Sequence, residues 1–205
     1  GKVVEDKYRM SQKKGFTLIE LIIVIALIAL LATTVILVIN PVKIFKEARD
    51  SQRIADIGQM NSAMSLYAAT AALPGSNPFG NTANCYVFPI SGSTISANCG
   101  GRFAGRTTTA TASQSVDGTG WIPVNLGLSA NGSPISSWPV DPKPVWSATP
   151  TSAYFYAYAT DVSNNWEFNA HMESARYGSG GSDDVEATDG GTIGTLFEVG
   201  TNVGI

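Results

Sequence analysis

"KKGFTLIELIIVIALIALL", residues 13–31, sets two lysines and a glycine directly before an apolar run that holds one acid, Glu20. The run continues as "LIIVIALIALLATTVILVI" over residues 21–39, where Thr33 and Thr34 are the polar side chains. A helix from Phe16 to Ile39 would extend about 36 Å, enough to cross a hydrocarbon core of about 30 Å. Lys2, Lys7, Arg9, Lys13 and Lys14 precede it, against Glu5 and Asp6. The N-terminus is therefore expected on the cytoplasmic face and the remainder outside. A cleaved secretory signal would need a shorter apolar core and a small-residue site at its end, and this run offers no clear site of that kind. A carboxylate at the centre of a span costs about 3 kcal/mol on insertion scales and more in simulations. Glu20 therefore needs a reason.

Asn40-Pro41 ends the run. Pro41 has no N–H for the Leu37 carbonyl, so it kinks or interrupts a helix there. Helical spacing then resumes through Ile54, Ile57, Asn61, Met64, Tyr67, Ala68 and Ala71, with Arg49, Asp50, Arg53 and Asp56 mostly on other faces. This reads as one long helix over about 16–72, its first half in lipid and its second half amphipathic, terminated at Pro74-Gly75. Residues 74–120 read as loops, with a short strand possible at Tyr86-Val87-Phe88 and "RTTTATASQS" (106–115) as a solvated low-complexity stretch. Strand alternation comes later. "AYFYAYA" (153–159) puts Tyr154, Tyr156 and Tyr158 on one face. "NWEFNAHME" (165–173) puts Trp166, Phe168, Ala170 and Met172 on one face and Glu167, Asn169, His171 and Glu173 on the other. "TDVSNN" joins them as a hairpin with a polar outer face, and "TLFEV" (195–199) offers a third strand. The expected fold is α+β, a long N-terminal helix whose second half covers a small antiparallel β-sheet.

Beyond residue 106 there are two basic residues and ten acidic ones, a net charge of −8. Phosphate-directed nucleic-acid binding by that part is disfavoured. Any basic patch falls to Lys43, Lys46, Arg49 and Arg53. Cys85 and Cys99 most simply form one disulfide in an exported domain, stabilising it by about 3 kcal/mol; in a reducing compartment they would be free thiols. With His171 as the single histidine, a Cys/His zinc set cannot be completed. No Gly-x-Ser-x-Gly elbow or phosphate-binding loop is present, and His171 is expected on the surface. The chain reads as a substrate of other enzymes, not as an enzyme.

"KKGFTLIE" (13–20) and the apolar helix behind it resemble the cleavage and methylation site of type IV pilins and type II secretion pseudopilins. More weakly, "WPVDPKP" (138–144) and "WEFNAHMES" (166–174) look like the heads of pseudopilin-type proteins. The resemblance implies the pilin fold and a membrane peptidase and methyltransferase that cuts between Gly15 and Phe16 and methylates Phe16. It divides the chain into a leader (1–15), a membrane and assembly helix (16–40), an amphipathic helix (41–73) and an exported head (74–205). Met10 would open a shorter leader, "MSQKKG". The implied partners are copies of this chain or related pilins, the peptidase, and a pilus or secretion assembly platform. The precursor would sit in the inner membrane and then enter a surface or periplasmic filament. A membrane-anchored binding module that does not polymerise is the alternative of a different class.

The resemblance assigns Glu20 to assembly. Glu20 lies about 6 Å along the helix from Phe16, too far to turn back easily to its own terminus. A neighbouring subunit shifted by that rise would bring its new amine alongside. At about 4 Å and an effective dielectric near 20 the pair attracts by about 4 kcal/mol before desolvation. Calcium is the one cofactor the resemblance raises, through Asp183, Asp184 and Asp189 in the acidic loop 178–191, although the spacing is not that of an EF-hand.

Overall fold

The computed structural model describes residues 15–72, 75, 77–92, 94–95, 97–145 and 153–205. The leader residues before Gly15, including Met10, Lys13 and Lys14, lie outside that set, as does Pro74. The chain divides into two units, one ending at Pro41 and one running from Val42 to Ile205.

The first unit carries helix α1, Leu18–Ile39. Leu, Ile, Val and Ala fill every face of it, and each residue from Leu18 to Ile36 is exposed. A helix that is apolar all round and has no protein against it is suited to lipid. Its 22 residues extend about 33 Å. Both threonines bond back to their own helix: Thr33 Oγ1 donates to the Ala29 carbonyl and Thr34 Oγ1 to that of Leu31, each at 2.8 Å. Glu20 is thus the one ionisable side chain of α1.

Asn40 ends α1 in the left-handed region, at φ 44° and ψ 79°. Helix α2, Pro41–Thr70, starts at the next residue. The continuous helix expected from the sequence is therefore two helices. Asn tolerates the left-handed cap better than most residues, and Pro suits a first helical position because its missing N–H has no partner there.

In the second unit α2 lies on a five-stranded sheet of order β2-β1-β3-β4-β5. The strands are β1 Asn84–Val87, β2 Thr107–Ala110, β3 Ala157–Thr160, β4 Trp166–Ala170 and β5 Phe197–Gly200. The expected hairpin forms, with Tyr158 opposite Phe168, and the third strand pairs with Phe168 opposite Val199. Gly200 stands opposite Glu167, where a Cβ would sit 1.9 Å from the Trp166 carbonyl oxygen, so only glycine lets the strands close there. The sheet is not wholly antiparallel. β2, within the stretch read as a solvated tract, pairs in parallel with β1. A parallel pair needs a long crossover, and residues 88–106 supply it.

The layer between α2 and the sheet holds Ile57, Met60, Met64 and Tyr67 from the helix and Tyr156, Tyr158, Trp166 and Phe168 from the strands, sealed by Trp121 and Trp138. Three polar tips in it are paired: Trp166 Nε1 donates to Asn61 Oδ1 at 2.8 Å, Tyr156 to Asp56 Oδ2 at 2.8 Å, and Tyr158 to the Phe79 carbonyl at 2.7 Å, whereas Trp138 Nε1 has no partner among the described residues. The opposite face of the sheet was expected to be polar and open. It is covered. Val87, Cys85, Cys99, Phe103, Phe155, Ala157 and Ala159 form a second apolar cluster there, with Ile205 packed against it. Glu167 and Asn169 point into this side and are buried. Asn169 accepts from Arg102, whose guanidinium also holds the Phe155 and Ala153 carbonyls. The covering layer is irregular backbone, which has no periodicity to betray it.

Asp50 and Arg53, also expected on open faces of α2, are fully buried. Arg53 binds both oxygens of Asp141 at 2.8 Å and Asp50 at 2.7 Å. Asp50 in turn accepts the Glu173 and Ser174 amides at 2.8 and 2.7 Å. Arg49 forks onto Glu173 with two bonds of 2.7 Å, which lowers the Glu173 pKa. Two of the four residues offered as a basic patch thus face inward. With every member paired, the network latches α2 to residues 138–144 and 173–174. Removing one member leaves an uncompensated buried charge, which costs about 3–5 kcal/mol.

Candidate processing and assembly segment

Gly15, Phe16 and Thr17 are irregular backbone ahead of α1. Phe16 is 91% exposed, and a Cβ built on Gly15 meets nothing within 4 Å. Among the described residues nothing requires the side chain to be missing at 15. The Gly15–Phe16 bond therefore lies in exposed, non-helical chain one residue before the helix cap.

Thr17 caps α1, and Glu20 completes a capping box. Glu20 Oε2 accepts from the Thr17 amide and the Thr17 hydroxyl, both at 2.8 Å, while Thr17 Oγ1 accepts the Glu20 amide at 3.3 Å. Glu20 thus folds back onto Thr17. It does not reach Phe16, but it reaches the next residue, because a glutamate at the third helical position folds onto the cap. The Thr-x-x-Glu spacing in "TLIE" signals this box in the sequence. Both bonds use one oxygen; among the described residues Oε1 accepts none.

The other residues singled out in the sequence lie in the second unit. Cys85 and Cys99 form a disulfide, with Cα atoms 6.1 Å apart. It ties β1 to a turn in which Asn98, Cys99, Gly100 and Gly101 all have left-handed φ values. Such runs are rare in L-residues, and here Cys99 N–H is held by Thr108 Oγ1 at 2.8 Å and Asn98 N–H by the Arg106 carbonyl at 3.1 Å.

Asp183, Asp184 and Asp189 do not converge. Asp183 pairs with Arg176 Nε at 2.5 Å. Asp184 accepts the Gly180, Glu186 and Ala187 amides, which lowers its pKa. Asp189 accepts the Gly191 and Glu198 amides. Among the described residues no group of three or more His, Cys, Asp or Glu side chains is placed to hold a metal ion. These carboxylates order their own loop.

His171 is not on the surface. It follows β4, stacks on Tyr154 at 5.4 Å, and sets Nδ1 2.8 Å from Glu186 and 2.9 Å from the Thr195 carbonyl. Glu186 also accepts the Met172 and Ser179 amides. The group is a structural joint between β4 and the acidic loop.

Residues 10–36 match the family model described as the prokaryotic N-terminal methylation motif. No curated protein and no solved structure matches the chain.

Proposed function

We propose that this chain, which opens on the prepilin signature of type IV pilins and type II secretion pseudopilins, is a structural subunit of a pilus-like filament. The motif implies a membrane-anchored precursor, a prepilin peptidase and assembly into pilin-type filaments. In this reading the peptidase cuts between Gly15 and Phe16, Phe16 is N-methylated, and subunits polymerise through residues 16–39. The observation that carries it is the placement of the motif: an exposed irregular Gly–Phe bond opens a helix that is apolar on every face and holds one carboxylate. A glycine the fold does not need is what a processing enzyme would read. Glu20 then has two tasks. Oε2 closes the helix cap, and the spare Oε1 receives the Phe16 amine of the next subunit, setting the axial step.

The test is electron microscopy of sheared surface material with mass spectrometry of the N-terminus. N-methylphenylalanine at Phe16 in fibres is the expected result; an intact leader overturns the reading. Glu20→Val should still insert and be cleaved but yield few or no filaments. Normal filament yield from that variant removes the register role. The resemblance of residues 138–144 and 166–174 to pseudopilin heads supports a second reading, a short secretion piston, in which cleavage occurs but long surface fibres do not form. Correct cleavage with no assembly of any kind favours a membrane-anchored binding module.

A further inference from the structure

The inward stripe of α2 runs through Arg53, Ile57, Met60, Met64 and Tyr67. Followed toward the N-terminus at the same three- and four-residue spacing, it passes Arg49 and then Phe45, Lys46 and Val42. At this end, among the described residues, it is open. Phe45 is 63% exposed and Val42 62%, with Ile44 beside them half exposed. An aromatic and two branched aliphatics in one exposed turn are an apolar patch that needs an occupant.

Chain connection identifies the occupant. Val42 is three residues beyond Ile39, so it lies within about 11 Å of the end of α1 whatever angle the helices make. A helix of about 33 Å fills a hydrocarbon core of about 30 Å, beyond which the headgroup layer extends roughly 5–8 Å. The first turn of α2 is therefore held at headgroup level before any other subunit arrives. Its charges suit that layer. Lys46 makes no ion pair among the described residues. Lys43 lies 3.7 Å from Glu47 at the mouth of a cleft of about 380 Å³ lined also by Ala175, Arg176 and Ser182. In the same cleft Arg176 pairs with Glu47 at 3.6 Å and with Asp183, and the chain beyond residue 106 has a net charge of −8.

We infer that this turn and cleft are a lipid-docking surface: Val42 and Phe45 enter the headgroup–acyl boundary, and Lys43 and Lys46 meet phospholipid phosphates. The inference rests on the reading that α1 spans a membrane. It gives the unassembled subunit a defined seat on the bilayer, from which the head must be lifted on assembly.

The full chain is reconstituted in phosphatidylethanolamine–phosphatidylglycerol vesicles with p-benzoylphenylalanine in place of Phe45, irradiated, and read by mass spectrometry. A phospholipid adduct at position 45 is expected. Absence of any adduct there, or an adduct to a second copy alone, overturns the inference. The same label in place of Ile28 separates the two readings. Lipid adducts at 28 but not at 45 overturn lipid docking alone, whereas none at either position overturns the membrane reading beneath it. Lys43→Glu with Lys46→Glu should cut the adduct yield at 45 at least about 30-fold, since two cations near an anionic surface together contribute about 2 kcal/mol. An unchanged yield removes the phosphate contacts from the proposal.

Discussion

The two helices follow one another in sequence and obey opposite rules. α1 buries none of its 19 residues from Leu18 to Ile36 within the chain, although it is almost entirely apolar. α2 is half polar, yet it buries an aspartate and an arginine completely. The difference shows that apolarity alone does not make a core helix. α1 is apolar on every face and is not buried among the described residues, so its stability depends on what surrounds it. α2 offers a narrow stripe, and its neighbours satisfy that stripe atom by atom, charges included. One helix is specified by its solvent and the other by its contacts.

Perturbing one helix should leave the other untouched, and the largest such effect is expected at Arg53. Arg53→Ala should destabilise the head by about 3–5 kcal/mol in urea unfolding, because Asp50 and Asp141 are left buried and uncompensated, while membrane insertion of α1 stays normal. A loss below about 1 kcal/mol would mean that the latch is not what holds α2. Next comes the disulfide. Cys85→Ser with Cys99→Ser should cost about 3 kcal/mol on the same assay and raise amide exchange first in β2, whose pairing partner β1 carries Cys85.

A smaller effect, of opposite sign, is expected on the sheet's far face. Glu167 and Glu198 lie on adjacent strands, 1% and 2% exposed. Burial and the neighbouring acid push Glu167 up to about 8, and burial pushes Glu198 up as well. A carboxyl whose folded pKa is raised contributes stability that is complete below its unfolded value near 4.5 and is lost as pH rises through about 8. The head should therefore weaken as pH rises from 5 to 8, and Glu167→Gln should flatten that slope and stabilise the head at pH 8. A head that strengthens over this range contradicts the pairing. The smallest change belongs to α1. Thr17→Ala removes the cap, costs about 1 kcal/mol, and should fray the first turn by amide exchange without moving the head's unfolding midpoint.

Most of α1 was legible in the sequence because a lipid-facing helix needs only length and composition. The β3–β4 hairpin was legible through its alternating aromatics, and the disulfide through the count of two cysteines. The break at Asn40 was half legible: Pro41 announced it, but a left-handed cap depends on one residue's φ, which no pattern carries. Arg53 was misplaced although it sits at the spacing of Ile57, Met60 and Met64; its charge argued for water, and its partner Asp141 lies 88 residues away. β2 was missed because Thr107–Ala110 has the β-branched residues of a strand and the polarity of a loop. In the candidate segment the Thr-x-x-Glu spacing carries the capping box, but which carboxylate oxygen bonds back to Thr17 depends on side-chain rotamers that no sequence pattern records.

The latch also has a place in time. Chains are made from the N-terminus onward, and domains fold as their parts become available. Arg53 must wait 88 residues for Asp141, and Arg49 waits 124 for Glu173. Until Asp141 has been made, Arg53 has only its helix neighbour Asp50 as a counter-ion, and Arg49 gains its partner later still. α2 is thus among the first elements synthesised and among the last secured, since the ion-pair network is complete only when about four-fifths of the chain, up to Glu173, exists.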